Sequence, residues 1–216
     1  MAKGAKSKKK SDPSLKSQNR IRLATVIGAN FGVLATLIAT SKLALPSLSQ
    51  GTHLLSAVTQ AGLGAIVAGL LSDQFSPNTK AQIVYWRWKH PLPGARAFSG
   101  VGPADVRVDM QSLETKHAPL PTDPDQQNKL WYKIYKNNET AGSVVDANKQ
   151  YLFYRDYTAV ALLFLVTLPT IAAFKVRPWE TVLVYAAIMA AQYLLVRRAA
   201  VLNGHRLVAN VLAEAC

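Results

Sequence analysis

Residues 23–41 read LATVIGANFGVLATLIATS, without a single charged side chain. Wound as a helix at about 1.5 Å per residue, this stretch covers about 28 Å, close to the hydrocarbon core of a bilayer at about 30 Å. The 22 residues before it hold eight Lys or Arg and one acid. A signal peptide has a similar basic flank but a shorter apolar region and a clearer small-residue cleavage site, so the stretch reads as an uncleaved anchor. Basic residues beside a first span are retained in the cytosol, which places the N-terminus there.

Three further apolar stretches follow, at 54–71, 159–174 and 179–196. A short loop with Pro46, Ser47, Ser49 and Gly51 joins the first pair, and Lys175-Val176-Arg177-Pro178 joins the second, with Pro178 suited to a first helical turn. Lys80, Arg87 and Lys89 follow the second span and Arg197 and Arg198 close the last. The expected fold is therefore an all-α membrane protein: four transmembrane helices in two hairpins with a small helical cytosolic domain between them, both termini cytosolic. The segments are a disordered basic tail (1–22), the first hairpin (23–71), the cytosolic helical domain (72–156), the second hairpin (157–198) and an amphipathic C-terminal helix (199–216), whose Leu207, Val208, Val211 and Leu212 share one face. A bacterial inner membrane is the default location, as nothing resembles an organellar transit peptide.

Mean hydropathy is barely above zero, an average of very apolar spans and a polar remainder. The net charge of +13 is concentrated in the tail. Lys8, Lys9, Lys10, Arg20 and Arg22 are its candidate contacts with anionic headgroups, at about 1 kcal/mol per basic residue near the surface. Nucleic acid is a possible but less favoured partner, since charge is its only support. One cysteine, Cys216, excludes an intrachain disulfide framework or a CxxC site.

Small residues recur every four positions in both early spans, including Gly28 and Gly32 in the first and Ala57, Ala61, Ala65 and Gly69 in the second. Such stripes let helix backbones approach closely in lipid, within the hairpin or between copies in a homo-oligomer. The spans contain Asn30, Gln60, Gln192 and Tyr193, and their one ionisable acid or base is Glu180 at the very edge of the fourth, so none lies at depth, which argues against an ion-coupled carrier. Asn30 and Gln192 fall at similar depth, so an amide hydrogen bond between the two hairpins is geometrically plausible, as structural glue first and a pore lining second. Pro169 is expected to bend the third span or loosen its last turn.

In the central region, Ser76-Pro77-Asn78 is expected to cap a helix running to about Trp88, a short helix to run from Asp109 to Lys116, and Thr122-Asp123-Pro124 to open a third. That third helix carries Leu130, Trp131, Ile134 and Tyr135 on one face, a core stripe rather than a ligand pocket. Ser143 with Asp146 resembles a capping box, and with no breaker before Pro169 the helix it starts is expected to continue into the third span. Tyr85, Trp86, Arg87, Trp88 and Lys89 form a juxtamembrane aromatic and basic belt, matched by Tyr154 and Tyr157 before the third span and Trp179 before the fourth.

No Walker loop, GxGxxG, HExxH or GxSxG occurs. His53, His90, His117 and His205 are scattered, and a grouping of His90 with Asp105 and Asp109 lacks a nucleophile with an identifiable base. Catalytic residues, cofactors and metals are thus not expected. The expected function is a non-enzymatic membrane scaffold or regulatory subunit whose cytosolic domain docks a protein partner; the alternative is an oligomeric channel or membrane-disrupting effector gated by that domain.

Overall fold

The computed structural model describes residues 15–43 and 74–216. Every regular element among them is helical. In chain order these are α1 (Leu15–Thr40), α2 (Pro77–Tyr85), three irregular helical turns between Pro93 and Ala104, α3 (Met110–His117), α4 (Pro124–Asn138), α5 (Gly142–Lys175) and α6 (Trp179–Ala213). Three helices are long and apolar enough to cross a membrane: α1 over Asn19–Thr40, α5 and α6. The second expected span, 54–71, lies outside the described residues, together with Ala57, Gln60, Ala61, Ala65, Gly69, His53 and the tail lysines Lys8, Lys9 and Lys10.

Local chemistry accounts for most boundaries in the central region. The Ser76 hydroxyl accepts from the Thr79 N–H, Asp109 accepts from the Gln111 and Ser112 N–H groups, and Asp123 accepts from the Gln126 N–H. Each of these satisfies a donor that a helix start leaves open. Pro77 and Pro124 occupy first-turn positions, where a missing N–H removes no helical bond. Two expectations change. α2 stops at Tyr85, three residues short of Trp88, because Trp86 takes the left-handed conformation (φ 52°, ψ 41°) as a C-cap. α5 starts at Gly142 with Ala141 as N-cap and no side-chain cap; the Ser143 hydroxyl bonds Glu214 at 2.5 Å instead of capping its own helix.

The side chains form two cores stacked end to end along α5 and α6. One contains Val144, Ala147 and Tyr151 of α5, Leu207, Val208, Val211 and Leu212 of α6, and Tyr85, Phe98, Trp131 and Ile134 from the smaller elements. The other joins Ile27, Leu34 and Leu37 of α1 to Val160, Phe164 and Leu168 of α5 and Val182, Tyr185 and Met189 of α6. Around this second core Val166, Ile171, Leu183, Ile188, Leu194 and Leu195 point outward and exposed, an apolar surface with the composition of a lipid-facing belt.

Both α5 and α6 pass through both cores without interruption. The continuity expected for the helix starting near Ser143 is thus observed, with Pro169 accommodated inside it. The C-terminal stretch set apart in the sequence at 199–216 is instead the continuation of α6, and its apolar residues are buried in the first core, with Val208, Val211 and Leu212 fully enclosed. Of the two placements such a face allows, along the membrane or against the central region, the stripe takes the second.

Candidate functional site

Near the end of α6 the central region leaves a concavity of about 570 Å³ lined by Tyr85, Arg87, Arg96, Arg107 and Arg206, with Asp105 as its one acid. The residues arrive from four separate places: the end of α2, the irregular turns, the loop after them and the last third of α6. Prolines and glycines shape the turns. Gly102 lies so close to the Ala97 carbonyl and Met110 that a Cβ there would stand 2.7 Å from the former and 2.9 Å from the latter. A Cβ on Gly94 would stand 2.6 Å from both Asn128 and the Trp131 ring, so this segment is pressed onto α4. Gln127, buried on α4, fastens it by accepting from the Phe98 and Ser99 N–H groups at 3.1 and 3.2 Å.

Arg107 differs from the other arginines. Its Nε and Nη2 donate to the two Asp105 oxygens at 2.9 and 2.7 Å, and its Nη1 donates to Asn210 Oδ1 at 3.0 Å. Those bonds hold the Asp105 carboxyl down to a pKa of about 2. Asn210 in turn donates to the Ser143 carbonyl at 2.9 Å, tying the loop to both long helices. Arg87, Arg96 and Arg206 have no acidic partner among the described residues. The Arg87 guanidinium is held below its ordinary range, first by burial and then by the charge of Arg96 beside it. One donor at the site, the Arg96 Nη1, is buried without a partner among the described residues, while the Tyr85 hydroxyl points at Tyr151 in the core. The Tyr85 ring stacks near His205, centroids 6.1 Å apart, and its hydroxyl occupies the place a Cβ on Gly204 would take.

The residues singled out in the sequence are distributed differently. Tyr85 is turned inward and buried, which removes it from the belt. Trp86 and Trp88 are 59% and 84% exposed, and Arg87 and Lys89 are exposed beside them. The Trp86 indole donates to the Tyr193 hydroxyl at 3.0 Å and lies under the Arg197 guanidinium, 3.5 Å from ring centroid to charge centre. At the opposite end of α6, Arg177 sits 5.3 Å over exposed Trp179. These two arginine–tryptophan pairs meet α6 eighteen positions apart, Trp179 to Arg197, or about 27 Å of helix. Tyr154 and Tyr157 are half-buried, and Phe153, which packs near both rings, receives Arg22 at 4.0 Å over its own. Arg22 also donates to Gln150, and the Asn19 amide to the Lys149 carbonyl at 2.8 Å, so the start of α1 is tied to α5; Arg20 is exposed.

The hydrogen bond that depth allowed between Asn30 and Gln192 does not form. The Asn30 amide donates to the Val26 carbonyl of its own helix at 2.9 Å, and Gln192 donates to the Tyr157 hydroxyl at 2.6 Å. Thr36, Thr158 and Thr167 likewise bond carbonyls four residues back, which satisfies hydroxyls where no water is at hand. Gly28 has no described neighbour within 4 Å of where a Cβ would stand, and Gly32 is half-buried.

His90, Asp105 and Asp109 are not brought together: His90 Nδ1 lies 2.7 Å from Asp125, Asp105 holds Arg107, and Asp109 caps α3. Among the described residues no three His, Cys, Asp or Glu side chains converge as a metal set. The sequence reading singled out Arg87 for the membrane surface and passed over Arg96, Arg107 and Arg206; no local pattern links positions so far apart. No protein-family model, curated protein or solved structure matches the chain.

Proposed function

We propose that the chain is a four-span membrane protein, with its spans paired in two hairpins, which holds a compact helical domain at the cytosolic surface and serves there as a non-enzymatic scaffold or regulatory subunit docking a protein partner. The observation that carries this reading is the passage of α5 and α6 through both cores without a break. A domain built on the same two helices as the membrane core is held at fixed height and orientation, which is what a docking platform requires.

The topology has independent support. α1 meets α5 first at Arg22 and Phe153 and later at Phe31 and Phe164, whose rings are 5.5 Å apart, so the two helices run in the same direction. α6 runs the other way, with Gln192 reaching Tyr157 and its last turns in the core of the central domain. Chain entering α1 therefore starts on the side where α2 and α6 finish, and the apolar stretch 54–71 supplies the return crossing. The two arginine–tryptophan pairs match interfacial anchors at either face of a hydrocarbon core of about 30 Å. The basic tail then meets anionic lipid on the cytosolic side, and the small-residue stripes offer a face for a second copy.

Channel activity is the competing reading, and the local hydrogen bonds of Asn30 and Gln192 favour packing over a wet axis. Liposomes carrying the purified protein separate the two. Docking predicts tight vesicles, together with a discrete heteromeric adduct in cells from a photo-crosslinking residue at Tyr132, which is exposed on α4. Dye leakage abolished by Gln192→Leu would overturn it.

A further inference from the structure

We propose that the concavity between the 93–107 segment and the last turns of α6 binds a ligand carrying two phosphoryl groups. Exposed arginines on most surfaces are simply solvated; three features distinguish these. The first is charge: Arg107 spends its whole fork on Asp105 and Asn210, which leaves Arg87, Arg96 and Arg206 converging on one cavity whose single acid is already paired. The second is the Arg96 Nη1, a buried donor without a partner among the described residues. Buried polar atoms are nearly always bonded, so an orphaned guanidinium N–H at a cavity indicates a missing acceptor. The third is size, since about 570 Å³ lies within the range of about 300–1,000 Å³ typical of small-molecule sites and exceeds what one simple anion needs.

The ligand class follows from chemistry. Guanidinium forks match phosphate oxygens in geometry and charge, and a phosphomonoester carries about −1.5 to −2 at neutral pH. One such group leaves the three arginines under-compensated, whereas two adjacent ones balance them. Arg206 stands eight positions beyond Arg198, about 12 Å along the helix, while the headgroup layer extends only about 5–7 Å from the hydrocarbon. The site is therefore open to a soluble diphosphate from the aqueous side and to a bisphosphorylated headgroup that projects from the bilayer.

The test is titration calorimetry on the full chain in nanodiscs. Inorganic pyrophosphate is added to protein in phosphatidylcholine discs; in a second arm, discs containing a bisphosphorylated phosphoinositide are compared with phosphatidylcholine alone, reading a change in thermal midpoint. Saturable pyrophosphate binding, weakened at least about tenfold by Arg96→Gln and by Arg206→Gln but little changed by Arg198→Gln, supports the proposal with a soluble source. Lipid-dependent stabilisation alone, with the same arginine pattern, supports it with a membrane source. Arg206 and Arg198 are both exposed, so that pair stays folded and gives a fair comparison even if Arg96→Gln does not. No saturable effect in either arm, or equal losses in Arg206→Gln and Arg198→Gln, would overturn it. Neither result bears on leakage or on the Tyr132 adduct, so docking and phosphate binding fail separately.

Discussion

Gly204→Ala should destabilise this protein even though it lies well inside a helix. In an unconstrained helix the change gains about 1 kcal/mol, because glycine is the poorest helix former after proline. Here the new methyl group falls on the Tyr85 hydroxyl and within 3.1 and 3.2 Å of the Tyr151 ring. Both tyrosines are buried in the core that joins α2, α5 and α6, so neither can swing into solvent without opening it. Overpacking of this kind costs about 1–3 kcal/mol, and displacing the Tyr85 ring places the substitution at the upper end of that range. The net expectation is a loss of about 1–2 kcal/mol, which for a chain of this size lowers the thermal midpoint by about 3–6 °C. Tyr85→Phe removes the obstructing oxygen at a cost of about 1 kcal/mol or less, the net worth of its contact with the Tyr151 hydroxyl. In the Tyr85→Phe background Gly204→Ala should therefore become neutral or stabilising by up to about 1 kcal/mol, leaving only a few tenths of an ångström of adjustment at Tyr151. The double-mutant cycle, measured by thermal unfolding in one detergent, should show a coupling of at least about 1 kcal/mol. A raised midpoint for Gly204→Ala alone, or strict additivity of the two changes, would refute the packing argument.

Three other outcomes are expected. Asp105 has a folded pKa of about 2, against about 3.9 for an unfolded aspartate, so its support is complete above about pH 4 and fades as pH falls through about 2; the stability gap between wild type and Asp105→Asn should close over that window in acid titrations followed by circular dichroism, and a constant gap would contradict the Arg107 pairing. Trp131→Ala opens a cavity where α4 meets the irregular turns and should cost about 3–5 kcal/mol in thermal unfolding, against less than about 1 kcal/mol for Tyr132→Ala on the exposed face of the same helix. Gln192→Leu, which frees the Tyr157 hydroxyl, should cost about 0.6–1.7 kcal/mol, and no measurable loss would show that the Gln192–Tyr157 bond contributes nothing net.

What could be read from the sequence was local. Ser76, Asp109 and Asp123 announce their helices through side chains that bond N–H groups two or three residues on, and the apolar face of α4 repeats at helical spacing. Nothing breaks the stretch from Gly142 to Pro169, so the run of α5 into an apolar span was foreseeable. The early stop of α2 was not, since a tryptophan rarely takes a left-handed cap; here its indole is held by Tyr193 and Arg197, more than a hundred positions away. Depth matching brought Asn30 and Gln192 together on paper, but an amide inside a helix has a carbonyl of its own four residues back. The arginine-lined cavity was the least legible feature: Arg87, Arg96 and Arg206 share no motif, and only the turns between Pro93 and Ala104, pressed onto α4 by Gly94, bring them face to face.

The uninterrupted helices also act as a lever. Beyond Arg197, α6 continues for sixteen positions to Ala213, about 24 Å of stiff rod. Transmembrane helices accommodate thinner or thicker bilayers by changing tilt, and with no hinge at the boundary a change of roughly 10° would swing the tip of that rod sideways by roughly 4 Å. The first core packs on that rod through Leu212, and Asn210 bonds it to Arg107 and to Ser143, so the core would turn with it. In a protein built this way the thickness of the surrounding lipid is written into the attitude of everything that stands above it.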